Sequence, residues 1–145
     1  MNELVVQNAH GRVSAPVKET LKTARRVLRD EGSRSSMIGV IFVNDSYSRK
    51  LNRLYLAHSS VTDVLAFPLG RAENLEGEIY VNLDRAKVQA KEHSVSFKNE
   101  VARLVIHGLL HLLGYRDSTG KLRAVMTRKE DEYLKKYFER EGHAR

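Results

Sequence analysis

Apolar and polar positions along the 145-residue chain fall into runs and repeats that predict its elements. Leu4 to Gln7, bounded by Asn8 and Gly11, reads as a first strand. Ser14, Ala15 and Pro16 resemble an N-cap and helix start, and Val17, Leu21, Ala24 and Leu28 then recur at helical spacing until Gly32. Met37 to Val43, rich in β-branched and aromatic residues, predicts a buried strand. Asn44 and Asp45 offer an N-cap to a helix ending near Leu56, with Leu51, Leu54 and Tyr55 as its apolar side. After a polar loop, Val64 to Phe67 and Glu78 to Val81 read as two strands joined by a turn around Gly70 to Asn74. Asn82 can cap a helix to about Glu92, a long helix runs from Phe97 to Gly114, and Lys121 to Glu139 forms a last one. Val125, Leu134 and Tyr137 are among its buried candidates. The order β-α-β-α-β-β-α-α-α predicts an α+β single domain over residues 1–145: a small, mostly antiparallel or mixed sheet of about four strands packed with about five helices.

Composition narrows the chemistry. Without cysteine there is no disulfide, thiolate metal cluster or cysteine nucleophile, so any metal must rest on His, Asp or Glu. The longest apolar stretch, Leu104 to Leu113, is too short to span a bilayer, and the N-terminus lacks a signal-peptide pattern, which makes a soluble cytoplasmic protein with no membrane partner the expectation. The formal charge of +7 favours polyanionic partners. Residues 1–60 hold ten Lys or Arg against five Asp or Glu, and Lys18, Lys22, Arg25 and Arg29 line one flank of the first helix. That stripe reads either as a solvated face or as a phosphate-tracking surface.

The segment LVIHGLLHLLG is apolar on every side except for His107 and His111, so it should be a central buried helix. Four residues apart, the two imidazoles share one face, and Gly114 lets the chain double back to bring Asp117 near them. Two imidazoles and a carboxylate with a vacant fourth position suit one zinc ion at the end of that helix. The same ligand types serve ferrous oxygenases, but a helical H-x-x-x-H with a return loop favours zinc. The spacing matches the zinc protease signature H-E-x-x-H-x-x-G-x-x-H, except that Gly108 stands where the general-base glutamate would be, which disfavours peptide hydrolysis. A glycine inside a helix implies either room for a bulky substrate group or close helix packing. His10, His58, His93 and His143 have no partner at metal spacing and are expected at the surface.

These residues resemble the YbeY family of bacterial endoribonucleases and ribosomal RNA maturation factors. HGLLHLLGYRD at His107 to Asp117 is similar to the family signature H-G-x-L-H-L-x-G-Y-D-H, Leu51, Asn52 and Tyr55 followed by VTDVLAFPL to its second block, and Gly77, Glu78 and Ile79 to its third. The resemblance implies a zinc-dependent, single-strand-specific endoribonuclease acting in 16S rRNA 3′ end maturation and ribosome quality control. Its implied partners are ribosomal RNA and the small ribosomal subunit, with ribosomal proteins or a ribosome-associated GTPase as further candidates. The implied metal ligands are His107, His111 and Asp117, the last replacing the family's usual histidine. The family places an arginine where this chain has Leu56, so Arg53 or Arg116 is the candidate to act on the phosphate. Asp63 and Thr62 are candidate cleft residues by the same resemblance, or simply a turn and strand-end cap. A metalloprotease-like hydrolase and a non-catalytic, metal-stabilised ribosome assembly factor are the alternatives.

Overall fold

A computed structural model describes residues 1–55, 61–70 and 74–139. Strand β1 (Asn2–Asn8) leads through helix α1 (Val17–Asp30) to β2 (Ser36–Val43) and helix α2 (Asp45–Tyr55). Strands β3 (Val64–Pro68) and β4 (Leu75–Asn82) follow, then helices α3 (Leu83–Glu92), α4 (Phe97–Leu112) and α5 (Gly120–Tyr133), the last continued by a π-helical stretch, Leu134–Glu139. The α+β class, four-stranded mixed sheet and five helices agree with the sequence pattern.

The sheet order is β1-β2-β4-β3. β1 pairs with β2 and β2 with β4 in parallel, and only β3 and β4 are antiparallel. Of the two readings, mostly antiparallel or mixed, the mixed one holds, with two of the three pairings parallel. Between β1 and β2 the chain returns through a full helix, which brings the second strand in with the same direction as the first. β3 and β4, consecutive in the chain, pair antiparallel with each other.

Local signals hold in most places. Asn44 Oδ1 accepts from the Tyr47 N–H at 2.8 Å, and Asn82 Oδ1 accepts from Asp84 and Arg85 N–H, so both asparagines cap their helices. Ser14 does not cap α1, whose N-cap is Pro16 with no side-chain bond. Val125 is exposed, and its neighbour Met126 fills the core with Leu134 and Tyr137, because the weak amphipathicity of α5 leaves its phase ambiguous by one residue. His10 is also corrected. Its ring is buried, donating from Nε2 to Asp84 Oδ1 at 2.7 Å while Nδ1 accepts from Arg12 and Val13 N–H at 3.2 Å. Asp84 is 74 residues away, beyond any spacing argument. His93 is more than half exposed, as expected, beside Glu100. His58, His143 and Leu56 lie outside the described residues.

Helix α4 is the centre of the core. It packs on α1, α3, α5, β3 and β4, burying Val101, Leu104, Val105, Ile106, Leu109 and Leu110. Two glycines set its distance from the sheet. A β-carbon at position 108 would lie 2.5 Å from Ile79 Cγ2, and one at Gly77 would lie 2.7 Å from Leu112 Cδ2. Of the two readings of Gly108, close packing is the one the structure supports.

Candidate metal centre

His107 and His111 stand one turn apart on α4, ring centroids 4.7 Å apart and planes at 74°. The helix then stops on Gly114, whose φ of 104° is a conformation that side chains strain to adopt. Gly114 N–H donates to His111 O at 3.0 Å and Tyr115 N–H to Leu110 O at 2.9 Å, the paired bonds of a Schellman ending. The reversal carries Asp117 back over the helix end, 3.3 Å from His111 Nε2 and 3.5 Å from His107 Nε2 through Oδ2.

One donor atom from each residue lies within 4.8 Å of the others, so His107, His111 and Asp117 could hold a metal ion. The donor set fits one. Bonds of about 2.0–2.1 Å in a tetrahedron hold neighbouring ligand atoms about 3.3 Å apart, close to both carboxylate–imidazole separations. The three sequence-predicted ligands are thus brought together.

Glu130, on α5, was not legible in the sequence. Its Oε2 accepts from His107 Nδ1 at 2.5 Å, while Oε1 takes Arg103 Nη1 at 3.0 Å. The side chain is only 7% exposed. A proton held on Nδ1 leaves the Nε2 lone pair turned towards Asp117, which is how an outer carboxylate fixes the tautomer of a metal-binding histidine. Burial pushes the His107 pKa down, but the Glu130 hydrogen bond and the charges of Glu130, Asp117 and Asp63 outweigh it and raise the value above the ordinary one. In sequence, Glu130 was hidden within the run KEDE, with no spacing to distinguish it.

The remaining candidates divide. Arg116 is exposed and lines a cleft of about 290 Å³ with His111, Tyr115, Ala66 and Pro68. Arg53 is exposed in the last turn of α2, a helix packed on α3 and β4. Asp63 lies just before β3, its charge reaching His107 and its Oδ2 accepting from Gln89 Nε2 at 3.2 Å. Thr62 is structural: its carbonyl accepts from Ser48 Oγ and Asn82 Nδ2. Beyond the cleft, a larger trough of about 630 Å³ runs past Leu112 and Gly114 to Glu31, Ser33 and Arg34 at the end of α1, sharing Pro68, Leu112 and Gly114 with the first.

The family model described as Endoribonuclease YbeY matches residues 5–138, which takes in His107, His111, Asp117 and Glu130. The chain belongs to the YbeY family. A YbeY-family protein of Chlorobaculum tepidum, named Endoribonuclease YbeY, is 38% identical over 120 residues, covering 81% of this chain and 88% of its own length. Another, from Chloroherpeton thalassium and of the same name, is 36% identical over 123 residues, covering 85% and 87%. A solution structure of a Thermotoga maritima protein aligns with a TM-score of 0.69 at 27% identity, covering 93% of this chain and 89% of its own. The resemblance drawn from HGLLHLLGYRD is thus a family membership. Among the described residues, no helix is long and apolar enough to cross a membrane.

Proposed function

We propose that this chain is a zinc-dependent, single-strand-specific endoribonuclease that acts in the cytoplasm on 16S rRNA 3′ end maturation and in ribosome quality control. The observation that carries the reading is the three-donor cluster with Glu130 behind His107, opening onto a cleft that contains Arg116. The endoribonuclease names of relatives 36–38% identical over most of the chain support the substrate class.

The chain's own groups divide the work. Glu130, held by Arg103, orients His107, and the Schellman reversal delivers Asp117. His107, His111 and Asp117 would hold a zinc ion, which would supply Lewis-acid polarisation of a phosphate oxygen and lower the pKa of a bound water towards about 7. Arg116 lines the cleft beside His111, where its guanidinium offers paired donors to a phosphate. Arg53 is the second candidate for that role. The trough beyond Gly114 gives an unpaired strand room to leave the cleft.

Position 108 weighs against the protease alternative. Its side-chain direction points at Ile79 in β4 and leaves no space for a glutamate. The assembly-factor alternative predicts metal binding and RNA binding without cleavage. Incubation of single-stranded RNA and casein with wild type and His111→Ala, with and without chelator and with metal content measured on both proteins, decides among the three. The expected result is chelator-sensitive RNA cleavage by wild type, an inactive variant with less metal, and intact casein. Equal metal in both proteins would overturn the ligand assignment, and chelator-insensitive RNA binding without cutting would favour the assembly factor.

A further inference from the structure

Helix α1 carries a row of cations directly opposite its buried side. Lys18, Lys22, Arg25 and Arg29 are all exposed and fall in one narrow arc, while Thr20, Thr23, Ala24, Val27 and Leu28 face the core. Arg26 borders the row, 5.2 Å from the centroid of the Tyr137 ring. The helix has two carboxylates, Glu19 and Asp30, and both are engaged from other elements. Glu19 holds Lys98 of α4 at 3.2 Å, and Asp30 holds Lys136 at 3.0 Å and accepts from Tyr137, besides meeting Arg29.

Lys18 with Lys22, Lys22 with Arg26, and Arg25 with Arg29 are like charges at i, i+4, a placement that destabilises a helix. A merely solvated face is ordinarily laced with opposite charges at these intervals. The row itself contains no carboxylate, although its members are not isolated: Arg29 meets the adjacent Asp30 at 3.3 Å and donates to the Tyr137 hydroxyl at 3.2 Å, and Lys22 is engaged as well. At about 1.5 Å rise per residue the cations succeed one another every 4.5 to 6 Å along the axis, near enough for neighbouring side chains to reach one sugar–phosphate backbone.

The row also has a direction. Arg29 stands two residues before Glu31, which lines the trough with Ser33 and Arg34, and that trough joins the cleft of His111 and Arg116 through Leu112 and Gly114. We propose that the Lys18–Lys22–Arg25–Arg29 row is a docking surface for the sugar–phosphate backbone of single-stranded RNA, holding the strand outside the cleavage cleft. The inference rests on the RNA reading given above and adds a second contact region to it. An acidic protein partner would want an apolar centre to its interface, and the row offers only the half-buried Leu21 at its margin. A membrane would need the apolar face of α1, which is committed to the core.

The test uses the full chain in chelator, so that RNA is bound and not cut. Binding of oligouridines of roughly 6 and 24 nucleotides is measured across a salt series for wild type and K18Q/K22Q/R25Q/R29Q, with thermal melting of both proteins. At about 0.7 per phosphate neutralised on a single strand, the slope of log affinity against log salt for the long RNA should fall by about 2 to 3 in the variant. Its preference for the long over the short RNA should shrink more than tenfold, with the melting temperature retained. The charge-preserving R25K/R29K should keep the wild-type slope. An unchanged slope and length preference in a folded quadruple variant would overturn the proposal while leaving the RNA reading intact. Loss of binding to phosphatidylglycerol vesicles or polyglutamate, with the RNA slope retained, would also overturn it by naming another occupant. Wild type that neither binds RNA of either length nor cuts it when metal is restored would remove the RNA reading itself.

Discussion

Tyr115 donates its hydroxyl proton to Glu31 Oε1 at 2.7 Å, joining residues 84 positions apart. The other oxygen of Glu31 accepts from Tyr133 and holds Lys129 at 3.1 Å, both on α5. One carboxylate at the end of α1 therefore ties down the loop that leads to Asp117 and the helix that carries Glu130.

Tyr115→Phe should loosen the loop without moving the two histidines. We expect metal affinity to fall severalfold and stability by about 1.5–3 kcal/mol, the usual range for a hydrogen bond to a charged group. Calorimetric metal titration and urea unfolding measure the two. Unaltered metal affinity would show that Asp117 does not depend on this anchor.

Burial alone would push the Glu31 carboxyl up, but the bonds from Tyr133, Tyr115 and Lys129 outweigh it and hold its pKa below the ordinary 4.5. Because the folded value is the lower one, ionised Glu31 contributes stability at pH above about 4.5, and that contribution is lost as pH falls through the lowered value. Unfolding midpoints from pH 7 down to pH 3 should drop for wild type and drop less for Tyr133→Phe. Parallel curves for the two proteins would contradict the linkage.

Glu130→Gln removes the charge that steadies His107 and leaves Arg103 with a weaker partner. A lost outer carboxylate ordinarily costs 10–100-fold in metal affinity, and we expect that range here. Competition with a chromogenic chelator gives the number. A variant that binds metal as tightly as wild type would reduce Glu130 to an ion-pair residue.

Gly108→Ala sets two effects against each other. Alanine gains about 1 kcal/mol in helix propensity, whereas overpacking a tight core costs about 1–3 kcal/mol. The close atom is Ile79 Cγ2, fixed near the backbone of β4, so the clash should win and the variant should be less stable. In an Ile79→Ala background the same substitution should become neutral or stabilising, which a double-mutant cycle of urea midpoints would reveal. Additive effects in that cycle would mean the two positions do not touch.

The candidate metal ligands were readable because they are local. Histidines at i and i+4, a glycine stop and a carboxylate three residues later form one stretch whose geometry follows from helix pitch and a left-handed C-terminal residue. Glu130 is 23 residues from the ring it orients, Glu31 is 84 from Tyr115, and His10 is 74 from Asp84. Nothing periodic links such pairs, so only the folded chain reveals them. Strand direction is not legible for a related reason: each strand's pattern reports burial, while parallel or antiparallel pairing depends on what the chain does between strands. Val125 was misplaced because α5 alternates charge and apolar residues too weakly to fix its rotation.

The glycine-set closeness of α4 to β4 has a consequence for engineering. Since the two histidines ride on a rod clamped flush to a fixed plank, the centre cannot be widened for larger guests by shaving that contact. Redesign would have to work from the outer rim, on the turn bearing Arg116 and Asp117, where substitutions meet water instead of a packed wall.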